Sequence, residues 1–124
     1  MMKEYRILIV EDNDALREMF RRRLIRRKYN VELANDGEEG LVKAAEHPPD
    51  LILLDMSLPG KNGWTIASEL KSKSQTKNTP IIAITAHAMR GDRERALQAG
   101  CDDYISKPIN FQNLYASMDR LLQP

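Results

Sequence analysis

Residues 50–63 read DLILLDMSLPGKNG. Four apolar residues, Leu51 to Leu54, run without a break into Asp55. A strand that is apolar on both faces must be covered on both faces, which is the habit of a parallel sheet sandwiched by helices. The stretch from Pro59 to Gly63 then supplies turn chemistry. Working outward, RILIV at 6–10 and IIAI at 81–84 are runs of the same kind. Shorter strands are expected at 31–34 and 104–105. Amphipathic segments fill the intervals. Residues 14–28 place Leu16, Phe20 and Leu24 on one helical face. A second helix over 37–46 is stopped by Pro48 and Pro49. Helices are further expected at 64–73 and 90–99, the latter closed by Gly100. Asn110 caps a last helix that runs to Leu122. The strand–helix unit therefore occurs five times. It predicts an α/β fold with an open, doubly wound, five-stranded parallel sheet.

Composition narrows the function. The chain has 124 residues, of which 42% are hydrophobic and 30% charged, so one globular domain is expected, with its core over about 6–122. Nineteen basic residues against eighteen acidic ones leave a net charge of +1. That excludes a strongly basic nucleic-acid binder. Cys101 is the only cysteine, which rules out an internal disulfide and gives no support to a zinc site. No apolar run approaches the length of a membrane span. Residues 1–6 are charged, with no apolar segment behind them to make a secretory signal. These features predict a soluble, cytoplasmic protein.

In doubly wound sheets, ligands bind beyond the carboxyl ends of the strands. Here the first strand ends in Glu11-Asp12, the third in Asp55, the fourth in Thr85, and the fifth is followed by Ser106-Lys107-Pro108. Three carboxylates, a hydroxyl and an ammonium meet on one rim. Two carboxylates ~4 Å apart repel by about 4 kcal/mol at an effective dielectric of ~20. Three in one pocket require a cation or must take up protons. Lys107 supplies one positive charge, and oxygen-only ligands suit a hard divalent ion such as Mg²⁺. A phosphoryl group placed on a carboxylate there would find donors in Thr85, Lys107 and backbone N–H groups. Taken singly, each residue has a plainer role: a helix cap, a loop acid, a surface lysine, a strand threonine. Their joint placement at successive strand ends is what points to chemistry.

These residues resemble the receiver domain of two-component response regulators, from position 6 to about 122. The matching segments are LIVEDN at 8–13, DLILLDMSLPGKNG at 50–63, PIIAITAHA at 80–88 and AGCDDYISKPI at 99–109. The resemblance implies a flavodoxin-like sheet of order 2-1-3-4-5. It implies that Asp55 accepts phosphate from a histidine kinase or phosphotransfer domain. Asp12 corresponds to the main metal-binding acid and Glu11 to its neighbour, reaching the ion directly or through water. The Ser57 backbone carbonyl corresponds to the third protein ligand of Mg²⁺ or Mn²⁺. Thr85 and Lys107 correspond to the phosphate-sensing hydroxyl and ammonium, with a cis bond before Pro108. Ser57 and His87 occupy positions that tune hydrolysis of the acyl phosphate. Thr85 and Tyr104 form the switch pair, whose movement changes the surface of the fourth helix, fifth strand and fifth helix.

The resemblance thus implies a phosphoacceptor signalling module in a two-component system or phosphorelay, with a downstream protein target and no enzyme activity beyond its own transfer and hydrolysis. Neither a membrane role nor direct DNA binding is expected. The expected state is a stand-alone monomer, with a dimer, or a receiver cut from a hybrid histidine kinase, as alternatives. An aspartate-nucleophile phosphatase is a weaker reading, because such enzymes carry a second aspartate where Ser57 stands. A flavin or nucleotide binder is weaker still, because the acidic Glu11–Asp14 loop would repel phosphate. The first helix carries Arg21, Arg22, Arg23, Arg26, Arg27 and Lys28. They form either a solvated face or a docking edge for an acidic partner, with nucleic-acid binding a weaker third reading. Trp64 reads as a packing residue, His47 as solvent-facing, and Cys101 as a turn residue without chemistry.

Overall fold

The structure is a computed structural model that describes residues 4–58, 60, 62–86 and 92–122. In chain order it contains β1 (Arg6–Val10), α1 (Asp14–Arg26), β2 (Asn30–Ala34), α2 (Gly37–Glu46), β3 (Leu51–Asp55), α3 (Gly63–Ser72), β4 (Ile81–Thr85), α4 (Asp92–Gln98), β5 (Asp103–Ser106) and α5 (Phe111–Leu122). The strands form one sheet in the order β2-β1-β3-β4-β5, parallel throughout. Both the α/β architecture and the expected order are borne out.

Period-two alternation divides the sheet into two faces. Leu8, Val10, Ile52, Leu54, Ile81 and Ala83 pack under α2, α3 and α4 through Leu41, Ala44, Ile66, Ala67, Leu70 and Ala96. Ile7, Ile9, Leu51, Leu53, Ile82 and Ile84 pack under α1 and α5 through Phe20, Leu24, Leu114, Tyr115 and Met118. All residues of β3 and β4 are buried, as expected for central strands covered on both sides. Each fully buried Leu or Ile contributes roughly 1.5–3 kcal/mol relative to exposure.

Every βα unit turns at the carboxyl end of its strand, so helix starts gather on the rim that carries the candidate site. Side-chain oxygens close four of those starts. Asn13 accepts from the Leu16 N–H at 2.9 Å, Asp36 from Glu39 at 2.8 Å, Asn62 from Thr65 at 3.0 Å and Asn110 from Asn113 at 3.1 Å. Each such cap is worth about 1 kcal/mol. Gly63 opens α3 hard against β3. A Cβ there would lie 2.5 Å from the Met56 Cα and 2.8 Å from the Asp55 carbonyl oxygen. Only glycine admits that approach, so it helps to set the backbone under Asp55.

Element ends depart slightly from the sequence expectation. The first helix stops at Arg26, because Lys28 turns left-handed at φ 72° and the Tyr29 N–H returns to the Leu24 carbonyl at 3.1 Å. That is a Schellman-type end without its usual glycine. The fourth helix is described over Asp92–Gln98, and positions 87–91 of its expected approach lie outside the described residues. It closes as expected: Gly100 has φ 102°, and the Cys101 N–H donates to the Ala96 carbonyl at 3.0 Å. Cys101 itself is buried, with its thiol pushed up to about 12 by that burial. No helix among the described residues is long and apolar enough to cross a membrane.

Candidate functional site

Three strands of the α1/α5 face bring the candidate residues to the rim, at the strand end or one step past it. Ile9, Leu53 and Ile105 belong to that face. Two positions further on come Glu11, Asp55 and Lys107, directed to the same side by the alternation. Glu11 and Asp55 are buried, and Asp12 is exposed at the mouth. One carboxylate oxygen from each of the three lies within 4.8 Å of the others. The Lys107 ammonium stands 3.4 Å from Glu11 Oε1 and 3.6 Å from Asp55 Oδ1. The Lys107 N–H donates to the Thr85 carbonyl at 2.7 Å, and the Lys107–Pro108 bond is cis.

Hydrogen bonding inside this cluster is incomplete. The Ser57 N–H donates to Asp55 Oδ1 at 2.9 Å, fixing that carboxylate against its own turn. The Asn13 N–H donates to Glu11 Oε2 at 3.1 Å. Glu11 Oε1 is buried and, among the described residues, has no hydrogen bond; Lys107 is near enough to pair with it electrostatically but is not aligned to donate. Burial pushes the Glu11 carboxyl up to about 7. The Asn13 N–H and Lys107 act against this, and the Asp55 carboxylate adds to it. A buried acid with one oxygen that no donor reaches, beside two other carboxylates, suits an oxygen-rich cation site. The donor set is all carboxylate, so it fits a hard divalent ion of the Mg²⁺ or Mn²⁺ type.

The remaining expected site residues fall around this centre. Thr85 is buried at the end of β4, beside Ile84, which pairs in register with Asp55. Ser57 is exposed at the turn after Asp55. Tyr104 is half-buried on β5, in register with Ala83, and packs against the α2/α3/α4 face. Thr85, two positions after Ala83, falls on that same face. His87 lies outside the described residues. Trp64 is half-buried and stacks under the Arg95 guanidinium at 4.5 Å, which agrees with a packing role.

Two features escaped the sequence reading. Arg17 donates to the Glu11 backbone carbonyl at 2.9 Å while its other arm pairs with Asp14. The Asp14–Arg17 spacing is visible in the sequence, but the reach to Glu11 is not. The basic run on α1 is also only partly free. Arg23 covers the Phe111 ring at 4.6 Å and Arg27 covers the Tyr115 ring at 4.1 Å, while Arg21 pairs with Glu18.

Residues 7–119 match the family model of the response regulator receiver domain. The chain belongs to that family. It is 43% identical over 104 residues to the polar-differentiation response regulator DivK of Brucella anthropi, spanning 84% of this chain and 85% of the relative. Among solved structures, it resembles the receiver domain of a sensor histidine kinase from Pseudomonas aeruginosa PAO1, solved with a magnesium ion in its active-site cleft. That match has 35% identity and a TM-score of 0.89, covering 97% of this chain and 98% of the other. The chemotaxis response regulator CheY4 of Vibrio cholerae is 29% identical at a TM-score of 0.90, over 97% of this chain and all of the other. The receiver is therefore a two-component signalling module rather than an enzyme in the ordinary sense, and its Glu11/Asp12/Asp55 cluster fits the phospho-aspartate site of such domains.

Proposed function

We propose that Asp55 is the phosphoacceptor of this receiver, served by Lys107, Thr85 and a divalent cation. The observation that carries the reading is the buried, under-bonded carboxylate cluster with Lys107 suspended between two of its members. An Asp55 oxygen attacks the phosphorus of a phosphohistidine, the P–N bond breaks, the imidazole leaves with its electron pair, and an acyl phosphate forms. Asp12, Asp55 and the Ser57 carbonyl hold Mg²⁺, with Glu11 as a direct or water-bridged fourth group. The ion, when bound, offsets the negative charge that gathers on the transferred group. Lys107 leaves its long contacts with Glu11 and Asp55 for the phosphoryl oxygens. The Ser57 N–H keeps the acceptor carboxylate in place. Ser57 and His87 tune the hydrolysis of the product.

The Thr85 hydroxyl turns toward the phosphoryl group and Tyr104 then moves inward, resetting the surface of α4, β5 and α5. Moving such an equilibrium from 1:99 to 99:1 takes about 5.5 kcal/mol of preferential stabilisation. The donor is a cytoplasmic histidine kinase or phosphotransfer protein. An apolar groove of about 350 Å³, lined by Leu16, Met19, Lys107, Pro108, Ile109 and Phe111, opens beside the site and suits its docking. The likeness to a histidine-kinase receiver supports a second arrangement, in which this receiver is part of a hybrid kinase.

Intact-mass measurement after incubation with Mg²⁺ and acetyl phosphate tests the chemistry. One phosphate adduct is expected, dependent on Mg²⁺ and absent from Asp55→Asn. An adduct that persists in the variant places the acceptor elsewhere. No adduct, together with no beryllofluoride-induced amide shift around Asp55, Thr85 and Tyr104, sinks the proposal.

A further inference from the structure

We propose that Arg17 is a positioning residue for the cation-binding loop: its guanidinium fork holds residues 11–14 in the shape that presents Glu11 and Asp12 to the ion. The inference rests on the reading of Glu11, Asp12 and Asp55 as a cation site. Arg17 lies in the first turns of α1, with its side chain only 15% exposed. One arm donates to the Glu11 carbonyl at 2.9 Å and the other pairs with the Asp14 carboxylate. Its own N–H donates to the Asn13 carbonyl at 2.9 Å. Asn13 in turn donates from its N–H to Glu11 Oε2 and accepts from the Leu16 N–H. Glu11 is further anchored by its N–H to the Ala34 carbonyl at 3.1 Å. The residues on either side of Asp12 are thus tied, directly or through Asn13, to one arginine. Asp12 has no tie of its own among the described residues and is carried between them.

Two plainer readings make different forecasts. A surface pair at i, i+3 would contribute little and would leave the loop untouched. Asp14 is almost fully exposed, as such a pair requires, but Arg17 is not, and its second arm reaches past Asp14 into the loop. If Arg17 acted through charge, it would repel the cation, and its removal would tighten binding. A positioning fork has the opposite sign. Outer groups that orient metal ligands typically govern 10–100-fold in affinity. With Asn13 sharing the task, about a tenfold effect is expected at the low end of that range. Lysine does not substitute, because a single ammonium cannot serve a carbonyl and a carboxylate in fixed geometry.

The test is a Mn²⁺ titration read by the electron paramagnetic resonance of the free ion. Wild type, Arg17→Met, Arg17→Lys and Asp12→Asn are compared, and the thermal unfolding of each is recorded without metal. Methionine keeps the packing of the stem while removing every donor. Both Arg17 variants are expected to bind Mn²⁺ about tenfold more weakly, with unfolding midpoints that do not track the loss. Unchanged or tighter binding in Arg17→Met overturns the inference. So does full recovery in Arg17→Lys, which would show that a single donor suffices and that the two-armed fork is not needed. If wild type binds no Mn²⁺, or Asp12→Asn binds as well as wild type, the cation site itself is wrong, and that result is distinct from a failure of Arg17.

Discussion

Lys71 and Lys107 pair with acids at opposite ends of the β4–β5 strand pair and are held in opposite ways. Their side chains are similarly covered, at 20% and 23% exposure. Lys71 donates to the Thr79 carbonyl at 2.7 Å and to Asp102 Oδ2 at 3.0 Å. The same Asp102 oxygen accepts the Ile81 N–H at 2.9 Å. Every partner is within hydrogen-bond length, and the trio fastens the starts of β4 and β5 together. Lys107 instead hangs 3.4 and 3.6 Å from two buried acids, one of which has an oxygen with no donor. A fold can hold a half-buried lysine within hydrogen-bond reach of two partners, as the Lys71 end demonstrates. In the proposed function, that slack leaves the Lys107 charge for the phosphoryl oxygens.

Breaking the locked end should have the largest effect on stability. Lys71→Met leaves Asp102 without its cation and the Thr79 carbonyl without its donor. About 1–2 kcal/mol should be lost in urea unfolding, with Mn²⁺ affinity unchanged within twofold. A parallel fall in Mn²⁺ affinity would show that the two ends are not independent. Lys107→Met should invert that result. Removing a positive charge beside the acids raises Mn²⁺ affinity by about fivefold, roughly 1 kcal/mol, while phosphorylation of Asp55 by acetyl phosphate slows by at least about tenfold. Tighter cation binding with undiminished transfer would mean that Lys107 only balances charge.

The smallest effect concerns pH, and it sharpens the contrast between acids. Burial pushes Asp103 up, but the Ser117 hydroxyl, the Tyr104 N–H and Arg120 outweigh it and hold the carboxyl below its ordinary value. A lowered folded-state value means that its contribution is present above the unfolded value of about 3.8 and fades as pH falls through the folded one. In Asp103→Asn, the difference in stability between neutral and acidic urea titrations should shrink. An unchanged acid slope would assign the pH dependence to other groups. Glu11, pushed the other way to about 7, is the acid that the fold does not satisfy by itself.

Much of the site was legible because strand ends announce themselves. LILLD, RILIV and IIAI can only be buried central strands, and the polar residues that follow them must reach the rim. Glu11, Asp12, Asp55 and Thr85 were readable on that ground, and Lys107 from its place after the short strand at 104–105. Other features were hidden because they depend on partners distant in sequence. Lys71 meets Asp102 across 31 positions, and no local pattern forecasts the match. The arginines of α1 looked like one basic face, but Arg23 and Arg27 are spent on Phe111 and Tyr115 of α5, leaving Arg22 and Arg26 outward. Likewise, Lys28 gave no sign of its left-handed turn, which glycine would have announced.

The sequence by itself determined the α/β class, the parallel sheet and the rim on which the acids meet. Those follow from apolar periodicity and the placement of turns, which are properties of short segments. Only the tertiary structure decided which charges are satisfied. It left Glu11 Oε1 without a donor, suspended Lys107 between two carboxylates and brought Arg17 to the Glu11 carbonyl. Hydrogen bonds depend on tenths of an ångström between groups that the chain brings together only after folding, and residue order does not encode such distances locally.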